Sequence, residues 1–311
     1  MKNSRNGKAA AGTAVGVVGL GIMGSAMSAN LLKAGFAVFG SDPVARARRK
    51  LADAGGTAFA SATEVAHEAR FIVLSLPSEA ALEAVCGELI ASSTKRLVVA
   101  ETSTLPESAK RRAHDLLAEH GITLLDCPLS GTGAQAVNRD LAVYASGEAA
   151  AIKAFAPVFE GFARARYDVG AFGNGTRMKL VANLLVAIHN VSTAEAILMG
   201  ARAGLDPAQI VEVVADGAGG SRMFQVRGPV MVDRSWDKAT MKVSTWQKDM
   251  RLINELLQGT ATPAPLFAAC LPVYNAAMAL GHGDADTAAV FAVLEQMVGG
   301  APATGRKRAR S

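Results

Sequence analysis

The feature that most constrains the fold of this chain is an apolar run followed by three closely spaced glycines. Residues 15–18 are small or β-branched and apolar, which predicts a strand buried on both faces. Gly19, Gly21 and Gly24 follow at the spacing G-x-G-x-x-G, and an apolar pattern of helical period begins at once. The sequence therefore predicts a strand, a tight turn and a helix in immediate succession.

Each glycine of this turn has a role that a side chain would prevent. Gly19 permits the turn, Gly21 lets the backbone approach a pyrophosphate, and Gly24 lets helix and strand pack closely. The first N–H groups of the helix have no partner within the helix, so they attract phosphate. A glycine-rich turn without a ligand is the alternative, which the strand and helix on either side disfavour. The predicted dinucleotide-binding residues are Gly19, Leu20, Gly21, Ile22, Met23 and Gly24.

An acidic residue ends the second predicted strand. Residues 36–41 form that strand and Asp42 follows it, about twenty residues after the glycine turn, where a carboxylate can accept hydrogen bonds from an adenosine ribose. A carboxylate there repels a 2′-phosphate, so the sequence favours NAD over NADP. Arg46, Arg48 and Arg49 could hold such a phosphate, so NADP stays possible. A helix N-cap role for Asp42 is compatible with cofactor binding.

The first half of the chain alternates apolar runs with helical patterns. Such alternation predicts an α/β fold with a Rossmann-type, doubly wound and mostly parallel sheet. Ligands of such sheets lie beyond the carboxyl ends of the strands, so the loops at Leu76–Pro77 and at residues 101–104 are predicted to touch the cofactor. The further predicted strands are 71–76, 97–100, 122–125 and 141–144, with helices at 80–89 and 107–120.

The pattern becomes helical in the second half. Residues 176–203 predict one long helix, apolar over most of its surface, that links the sheet domain to an all-helical domain. Further helices are predicted at 207–214, 241–257, 265–280 and 287–298. The predicted organisation is a disordered leader (1–13), an NAD-binding domain (14–172), a helical substrate and oligomerisation domain (173–300) and a basic tail (301–311).

Charge and composition disfavour several classes of protein. The formal net charge of +5 arises from the two ends, and the body between them is net negative, which does not predict a nucleic-acid surface. No apolar leader and no run approaching a membrane span is evident, so we expect a cytoplasmic protein. The three cysteines are scattered, which is typical of a reducing compartment. The five histidines lack ligand spacing, so no metal is expected.

A turn rich in small residues follows the predicted strand at 122–125. Within it, Ser130 and the backbone N–H groups of Gly131 and Thr132 could form a nest for a carboxylate. A tight connection without a ligand explains the same residues equally well.

Two further groups of polar residues lie on predicted helices. Lys179 and Asn183 are four residues apart and therefore share one face of the long helix. A lysine on an apolar helix either extends to water or is buried for a functional reason. Lys248 and Asp249 are explained most simply as a surface ion pair.

Together these motifs resemble one family. Residues 15–297 are similar to the β-hydroxyacid dehydrogenases, the group of 3-hydroxyisobutyrate dehydrogenase, tartronate semialdehyde reductase and L-threonate dehydrogenase. The resemblance rests on motifs in one order: GLGIMG at 19–24, ETST at 101–104 for the usual DxST, DCPLSG at 126–131 for DxPVSG, GNG at 173–175 before Lys179 and Asn183, and finally Lys248–Asp249.

The resemblance implies an NAD(P)-dependent oxidoreductase that oxidises the hydroxyl of a small β-hydroxy acid or reduces the matching semialdehyde or keto acid. It implies that Lys179 is the catalytic acid/base and that Ser130 and Asn183 hold the substrate. It also implies that Thr104 borders cofactor and substrate and that Lys248 closes over the site. The predicted substrate residues are Ser130, Gly131, Thr132 and Asn183, and the cofactor residues outside the glycine turn are Asp42, Leu76, Pro77, Thr104 and Lys248.

The chain departs from the family pattern at three positions. Thr132 replaces a glycine, Ala182 replaces an asparagine and Met241 stands where a phenylalanine is common, so the identity of the hydroxy acid stays open. Residues 221–227 look most like the threonate dehydrogenases. An inactive nucleotide-binding regulatory module and an imine reductase-like enzyme are the alternatives, and the presence of Lys179 disfavours both. Because the long helix is apolar around much of its circumference, we expect a homodimer or homotetramer.

Overall fold

The computed structural model describes residues 12–299. The predicted basic tail, and the predicted leader up to residue 11, lie outside the described residues. The chain divides into two compact units, one ending at Lys179 and the other beginning at Leu180.

The first unit is built on a six-stranded parallel sheet in the order β3-β2-β1-β4-β5-β6. From β1 the chain adds β2 and then β3 on one side of the sheet. It then crosses back to place β4 on the other side of β1, and it adds β5 and β6 beyond β4. The order therefore reverses between β1 and β4, and the predicted Rossmann-type doubly wound sheet is confirmed. The strands are β1 (Ala14–Val18), β2 (Ala37–Ser41), β3 (Thr57–Phe59), β4 (Phe71–Leu74), β5 (Val98–Glu101) and β6 (Thr123–Asp126). The intervening helices are α1 (Ile22–Lys33), α2 (Ala45–Asp53), α3 (Ala62–Glu68), α4 (Glu79–Ala91) and α5 (Glu107–Glu119).

Apolar side chains cover both faces of this sheet. Along β4, Val73 belongs to one buried cluster, whereas its neighbours Ile72 and Leu74 belong to another. Successive side chains of a strand point to opposite faces, so the two clusters are the cores on the two sides of the sheet. This explains why the strands are continuous apolar runs rather than alternating ones.

A second, three-stranded sheet completes the first unit. It contains β7 (Leu129–Ser130), β8 (Ala142–Ala145) and β9 (Ala165–Asp168), with α6 (Gly133–Val137) and α7 (Ala149–Phe162) between them. The predicted strand at 141–144 forms, but in this sheet rather than in the large one. Strands β3, β7 and β9 were not predicted, because they have two to four residues and are largely part-exposed.

The second unit is helical, as predicted. Helix α8 (Asn174–Arg202) begins in the first unit and continues into the second. The others are α9 (Pro207–Asp216), α10 (Arg222–Val232), α11 (Val243–Gly259), α12 (Pro265–Ala279) and α13 (Val290–Met297), the last preceded by the 3-10 turn Thr287–Ala289. Helix α10 was not predicted because Gly228 and Pro229 interrupt its pattern.

Helix α8 is unusually long and apolar. Among residues 12–299 it is the helix that by length and composition could cross a membrane, so the expectation that no segment approaches a span does not hold for it. The core helix of a soluble protein passes the same test, and 44% of the most apolar window of α8 is buried inside the protein.

Candidate active site

The glycine turn joins β1 to α1 with the geometry that its spacing predicts. Gly19 has φ +89°, and a Cβ there would lie 2.2 Å from the carbonyl oxygen of Ser75. A Cβ at Gly24 would lie 1.8 Å from the carbonyl oxygen of Gly19. A Cβ at Gly21, in contrast, would meet open space. Gly19 and Gly24 are thus required by the fold, and Gly21 leaves room for an approaching ligand.

The start of α1 has the properties of a phosphate site. Its N-cap is Gly21, which offers no side-chain cap, and its first turn holds no acidic residue. The first N–H groups of the helix therefore remain for an anion. These residues fit the pyrophosphate of a dinucleotide, with Ile22 exposed, Met23 half-buried and the side chain of Leu20 in the core.

Asp42 follows β2 and braces the glycine turn. Its Oδ2 accepts the N–H of Leu20 at 2.8 Å and its Oδ1 accepts the N–H of Val44 at 2.7 Å. Because each carboxylate oxygen can accept more than one hydrogen bond, capacity remains for ribose hydroxyls. Helix α2 begins at Ala45 with Val44 as N-cap, so Asp42 is not the capping residue. Arg48 donates to the carbonyl oxygens of Asp42 and Pro43, at 2.6 and 3.1 Å.

The loops after β4 and β5 are tied to each other. The Oγ of Ser103 accepts the N–H of Leu76 at 2.7 Å, and the hydroxyl of Thr102 donates to the carbonyl oxygen of Leu74 at 2.6 Å. Pro77 is exposed and Thr104 is half-buried. These loops lie at the carboxyl ends of neighbouring parallel strands, the edge at which ligands bind in such sheets.

The turn around Ser130 lies against the start of α1. A Cβ at Gly133 would be 2.6 Å from Cγ2 of Ile22, and the amide of Asn30 donates to the carbonyl oxygen of Ala136 at 2.7 Å. The structure thus brings the half-buried Ser130 turn next to the glycine turn.

Thr132 closes part of the predicted carboxylate nest. Its backbone N–H donates to Oε1 of Gln135 at 3.0 Å, and its hydroxyl accepts the N–H of Gln135, so the two residues form a capping box for α6. Gly131 has φ +135°, a conformation that favours glycine. The Thr132 N–H is therefore engaged within the protein, which leaves Ser130 and Gly131 as the nearest candidates for an anion.

The start of α8 is fixed by the ends of β6 and β8. Gly175 donates its N–H to Oγ of Ser146 at 2.9 Å, and a Cβ at Gly175 would lie 2.6 Å from the carbonyl oxygens of Asp126 and Tyr144. Asp126 accepts the N–H of Thr176 at 2.7 Å and its hydroxyl at 2.9 Å. Lys179 follows Thr176 by three residues and is half-buried rather than fully desolvated.

A buried group of three charges supports this helix start. Lys110 on α5 lies 2.6 Å from Glu101 and 2.8 Å from Asp126, and all three side chains are 0% exposed. Burial pulls the pKa of Lys110 down, but the carboxylates of Asp126 and Glu101 outweigh it and hold that pKa above its ordinary value. We call Glu101, Lys110 and Asp126 the buried triad.

Sequence reasoning missed Lys110, although a signal was present. Lys110 precedes Ala113 by three residues and Leu117 by seven, which places it on the buried face of α5. A lysine in the middle of an apolar stripe is costly to bury without partners. This position therefore indicated a buried counter-ion.

In the second unit, Asn183 and Lys248 belong to one polar group. The buried amide of Asn183 donates to Oδ2 of Asp249 at 2.9 Å, and Nζ of Lys248 lies 3.8 Å from Oδ1 of the same carboxylate. The side chain of Asp249 is 7% exposed and that of Lys248 is 33% exposed. Lys248–Asp249 is therefore more than a surface ion pair, because its acid orients a buried asparagine on α8.

The 221–227 stretch has a structural role at its end. Ser221 caps α10, and Arg227 is buried against Asp286, which also accepts the N–H groups of Thr240 and Met241. Arg227 and Asp286 thus fix the loop before α11.

Comparison with known proteins agrees with these features. Residues 14–173 match the family described as the NAD binding domain of 6-phosphogluconate dehydrogenase, and residues 173–294 match the NAD-binding family of NADP-dependent 3-hydroxyisobutyrate dehydrogenase. The chain is 32% identical to an L-threonate dehydrogenase of Cupriavidus necator over 285 residues, which cover 90% of this chain and 95% of that protein.

The chain belongs to the β-hydroxyacid dehydrogenase family.

Two further relatives match over 90–91% of this chain. A probable 3-hydroxyisobutyrate dehydrogenase of Mycobacterium tuberculosis is 29% identical over 91% of this chain and 98% of its own. The crystal structure of a 3-hydroxyisobutyrate dehydrogenase from Salmonella typhimurium has a TM-score of 0.82 at 29% identity, covering 90% of this chain and 99% of the other. The predictions of the family, of an NAD(P)-dependent oxidoreductase and of a dehydrogenase acting on CH–OH donors are confirmed.

Proposed function

We propose that this dehydrogenase oxidises the hydroxyl group of a small β-hydroxy acid, similar to threonate or 3-hydroxyisobutyrate, or reduces the corresponding semialdehyde or keto acid. Lys179 is the proposed acid/base. The observation that carries this proposal is that α8 starts from the ends of β6 and β8 and presents Lys179 one and a half turns into the helix. The names of the relatives give the substrate class.

The nicotinamide cofactor, when bound, accepts or donates the hydride. It would be held by the start of α1, by Asp42, by the loops at Leu76–Pro77 and Thr104, and by Lys248. During oxidation Nζ of Lys179 takes the proton of the substrate hydroxyl, and during reduction it returns that proton. A positioned acid/base of this kind contributes roughly 10²–10⁴ in rate.

The proposed substrate contacts use the donors and acceptors that these residues have beyond their hydrogen bonds within the protein. Ser130 supplies a hydroxyl and Gly131 a backbone N–H for the substrate carboxylate, since the N–H of Thr132 is engaged with Gln135. Asn183 uses one N–H for Asp249, and an amide has a second N–H and a carbonyl oxygen for a substrate hydroxyl. The bond to Asp249 fixes which way this amide faces.

A substrate screen tests the proposal. Purified protein is assayed against C3–C5 hydroxy acids with NAD and with NADP, and the absorbance of the reduced cofactor is followed. Turnover of at least one β-hydroxy acid is the expected result. Cofactor binding without turnover of any of them would favour an inactive regulatory module instead.

We expect NAD to be preferred over NADP, and we expect Asp42→Ala to reduce that preference. Asp42 places a negative charge where a 2′-phosphate would lie, so its removal lowers kcat/KM with NAD and relieves the repulsion of NADP. The ratio of the two kcat/KM values should fall about tenfold or more, the size expected for hydrogen bonds to a charged group.

Asp42→Asn is the control for the structural bonds of this residue. It removes the charge and keeps one acceptor oxygen, so one of the two bonds to the N–H groups of Leu20 and Val44 remains and the other is lost. The ratio of kcat/KM with NAD to kcat/KM with NADP should fall in both Asp42→Ala and Asp42→Asn. A wild-type enzyme with a higher kcat/KM for NADP than for NAD would contradict the assignment.

We expect Ser130→Ala and Asn183→Ala to lower kcat/KM for the hydroxy acid about tenfold to a hundredfold, because each removes a hydrogen bond to a charged or reacting group. The Kd for NADH, measured by fluorescence, should change little. Asn190→Ala is the matched control, since this buried asparagine on α8 bonds Tyr274 and the carbonyl oxygen of Thr287. Asn190→Ala should lower the melting temperature without the loss of kcat/KM. Equal loss of NADH binding in the Ser130 and Asn183 variants would mark both residues as structural.

We further propose a cytoplasmic homodimer or homotetramer. The support is a set of large apolar side chains of the second unit that are exposed in the single chain. Contact with a second copy of the chain would bury them. They include Val181, Leu185, Met199, Leu205, Val213, Leu266 and Met297.

A further inference from the structure

The residues that fix the start of α8 also fix the loop after β5. Asp126 receives the N–H and the hydroxyl of Thr176, and it shares Lys110 with Glu101. Glu101 in turn accepts the N–H of Ser103 at 2.9 Å, and Ser103 accepts the N–H of Leu76. One connected set of bonds thus joins the helix that carries Lys179 to the two loops proposed to border the cofactor.

We propose that the buried triad and Thr176 position Lys179 for proton transfer. The inference rests on the proposed role of Lys179 as acid/base, and it assigns positioning roles to residues that do not touch the substrate. Lys179 lies three residues beyond Thr176, which is about 4.5 Å along the helix axis. A tilt or rotation of the first turn therefore moves Lys179 directly.

The geometry of the helix start leaves little freedom. The two oxygens of Asp126 hold both polar groups of Thr176, while Ser146 holds the N–H of Gly175 from the other side. The hydroxyl of Ser146 also donates to the carbonyl oxygen of Asp126 at 3.0 Å. All these groups are buried, so water cannot easily replace a lost bond.

The charges of the triad explain why this arrangement persists. Two carboxylates and one ammonium leave a net negative charge in a site without solvent. Asp126 lies at the N-terminus of α8, whose helix dipole and free N–H groups favour an anion. A helix start placed elsewhere would remove both bonds from Thr176 and leave Lys110 as the charged partner of Asp126, so electrostatics favours the helix start at the end of β6.

The decisive variant is Thr176→Val, which keeps the shape of the side chain and removes only the hydroxyl bond to Asp126. We expect kcat to fall about tenfold or more, because small misplacements of a catalytic group cost up to about a hundredfold. The Kd for NADH and the KM for the hydroxy acid should stay within about twofold of wild type. Thr176→Ser restores the hydroxyl and should restore most of kcat. Ser146→Ala, a second variant, should lower kcat in the same way.

Thr193→Val is the matched control on the same helix. Thr193 is 2% exposed and its hydroxyl donates to the carbonyl oxygen of His189 within α8. We expect this variant to keep kcat, and melting temperatures without cofactor are recorded for all four variants. Wild-type kcat in both Thr176→Val and Ser146→Ala would overturn the proposal. So would equal losses of kcat and melting temperature in Thr176→Val and Thr193→Val.

The outcome separates this inference from the proposed function. If Lys179→Met keeps its kcat, the acid/base role itself is wrong. If Lys179→Met is inactive while Thr176→Val and Ser146→Ala are as fast as wild type, only the positioning role is wrong.

Discussion

Lys179→Met is expected to lower kcat by about 10²-fold or more while the protein folds normally and binds NADH. Methionine is close to lysine in length and apolar, so it can follow the same half-buried path along α8. It has no group that can take or return a proton, and no replacement for that transfer lies on the same turn of the helix. The measurements are kcat, the Kd for NADH and the melting temperature.

Lys179→Arg distinguishes a catalytic lysine from a structural one. A guanidinium keeps the positive charge but does not deprotonate near neutral pH, so this variant should be as slow as Lys179→Met. A lysine needed only for its charge would be replaced well by arginine and poorly by methionine. A well-folded Lys179→Met with near-wild-type kcat would end the acid/base assignment.

Lys110→Met is expected to have the largest effect on stability. Lys110 is 0% exposed and lies between Glu101 and Asp126, so its removal leaves buried carboxylates without a counter-ion. Breaking a buried ion pair in this way costs about 3–5 kcal/mol. The free energy of unfolding, measured by urea denaturation near pH 7, should fall by that amount. Lys153→Met is the control, since Lys153 is exposed on α7, and it should change stability by about 0.5 kcal/mol or less.

The stabilisation by Lys110 should not depend on pH near neutrality. Its folded-state pKa is raised above the ordinary value of 10.5, so its contribution is fully present below pH 10.5. That contribution is lost only as the pH rises through the raised folded-state pKa. Titration of Lys110 itself should therefore add no pH dependence to the stability of the wild type from pH 6 to 9. If Lys110→Met lowers the free energy of unfolding by about 0.5 kcal/mol or less, as expected for Lys153→Met, the buried triad contributes little to stability.

Local sequence patterns were sufficient to predict the parallel sheet and the cofactor turn. Gly19, Gly21 and Gly24 leave few alternatives, because their roles depend on local backbone geometry that is encoded within six residues. The long helix α8 could also be predicted, since its apolar period runs without a break for many turns. Asp42 and Lys179 could be named as candidates because a local motif places each one relative to a strand or helix end.

The way in which the site residues are held, in contrast, depends on long-range packing. Asp126, Lys110 and Glu101 come from three separate elements, and a contact between them depends on the packing of α5 against the sheet, which no local pattern encodes. The engagement of the Thr132 N–H by Gln135 likewise depends on a turn that composition alone leaves ambiguous. The partner of Asn183 is Asp249, 66 residues further on, and only the folding of α8 against α11 brings them together. Residue types and periodicity thus specify the helices and strands. The hydrogen-bond partner of a buried polar group is set by long-range packing instead, because an unpaired polar group is destabilising only once folding has removed it from water.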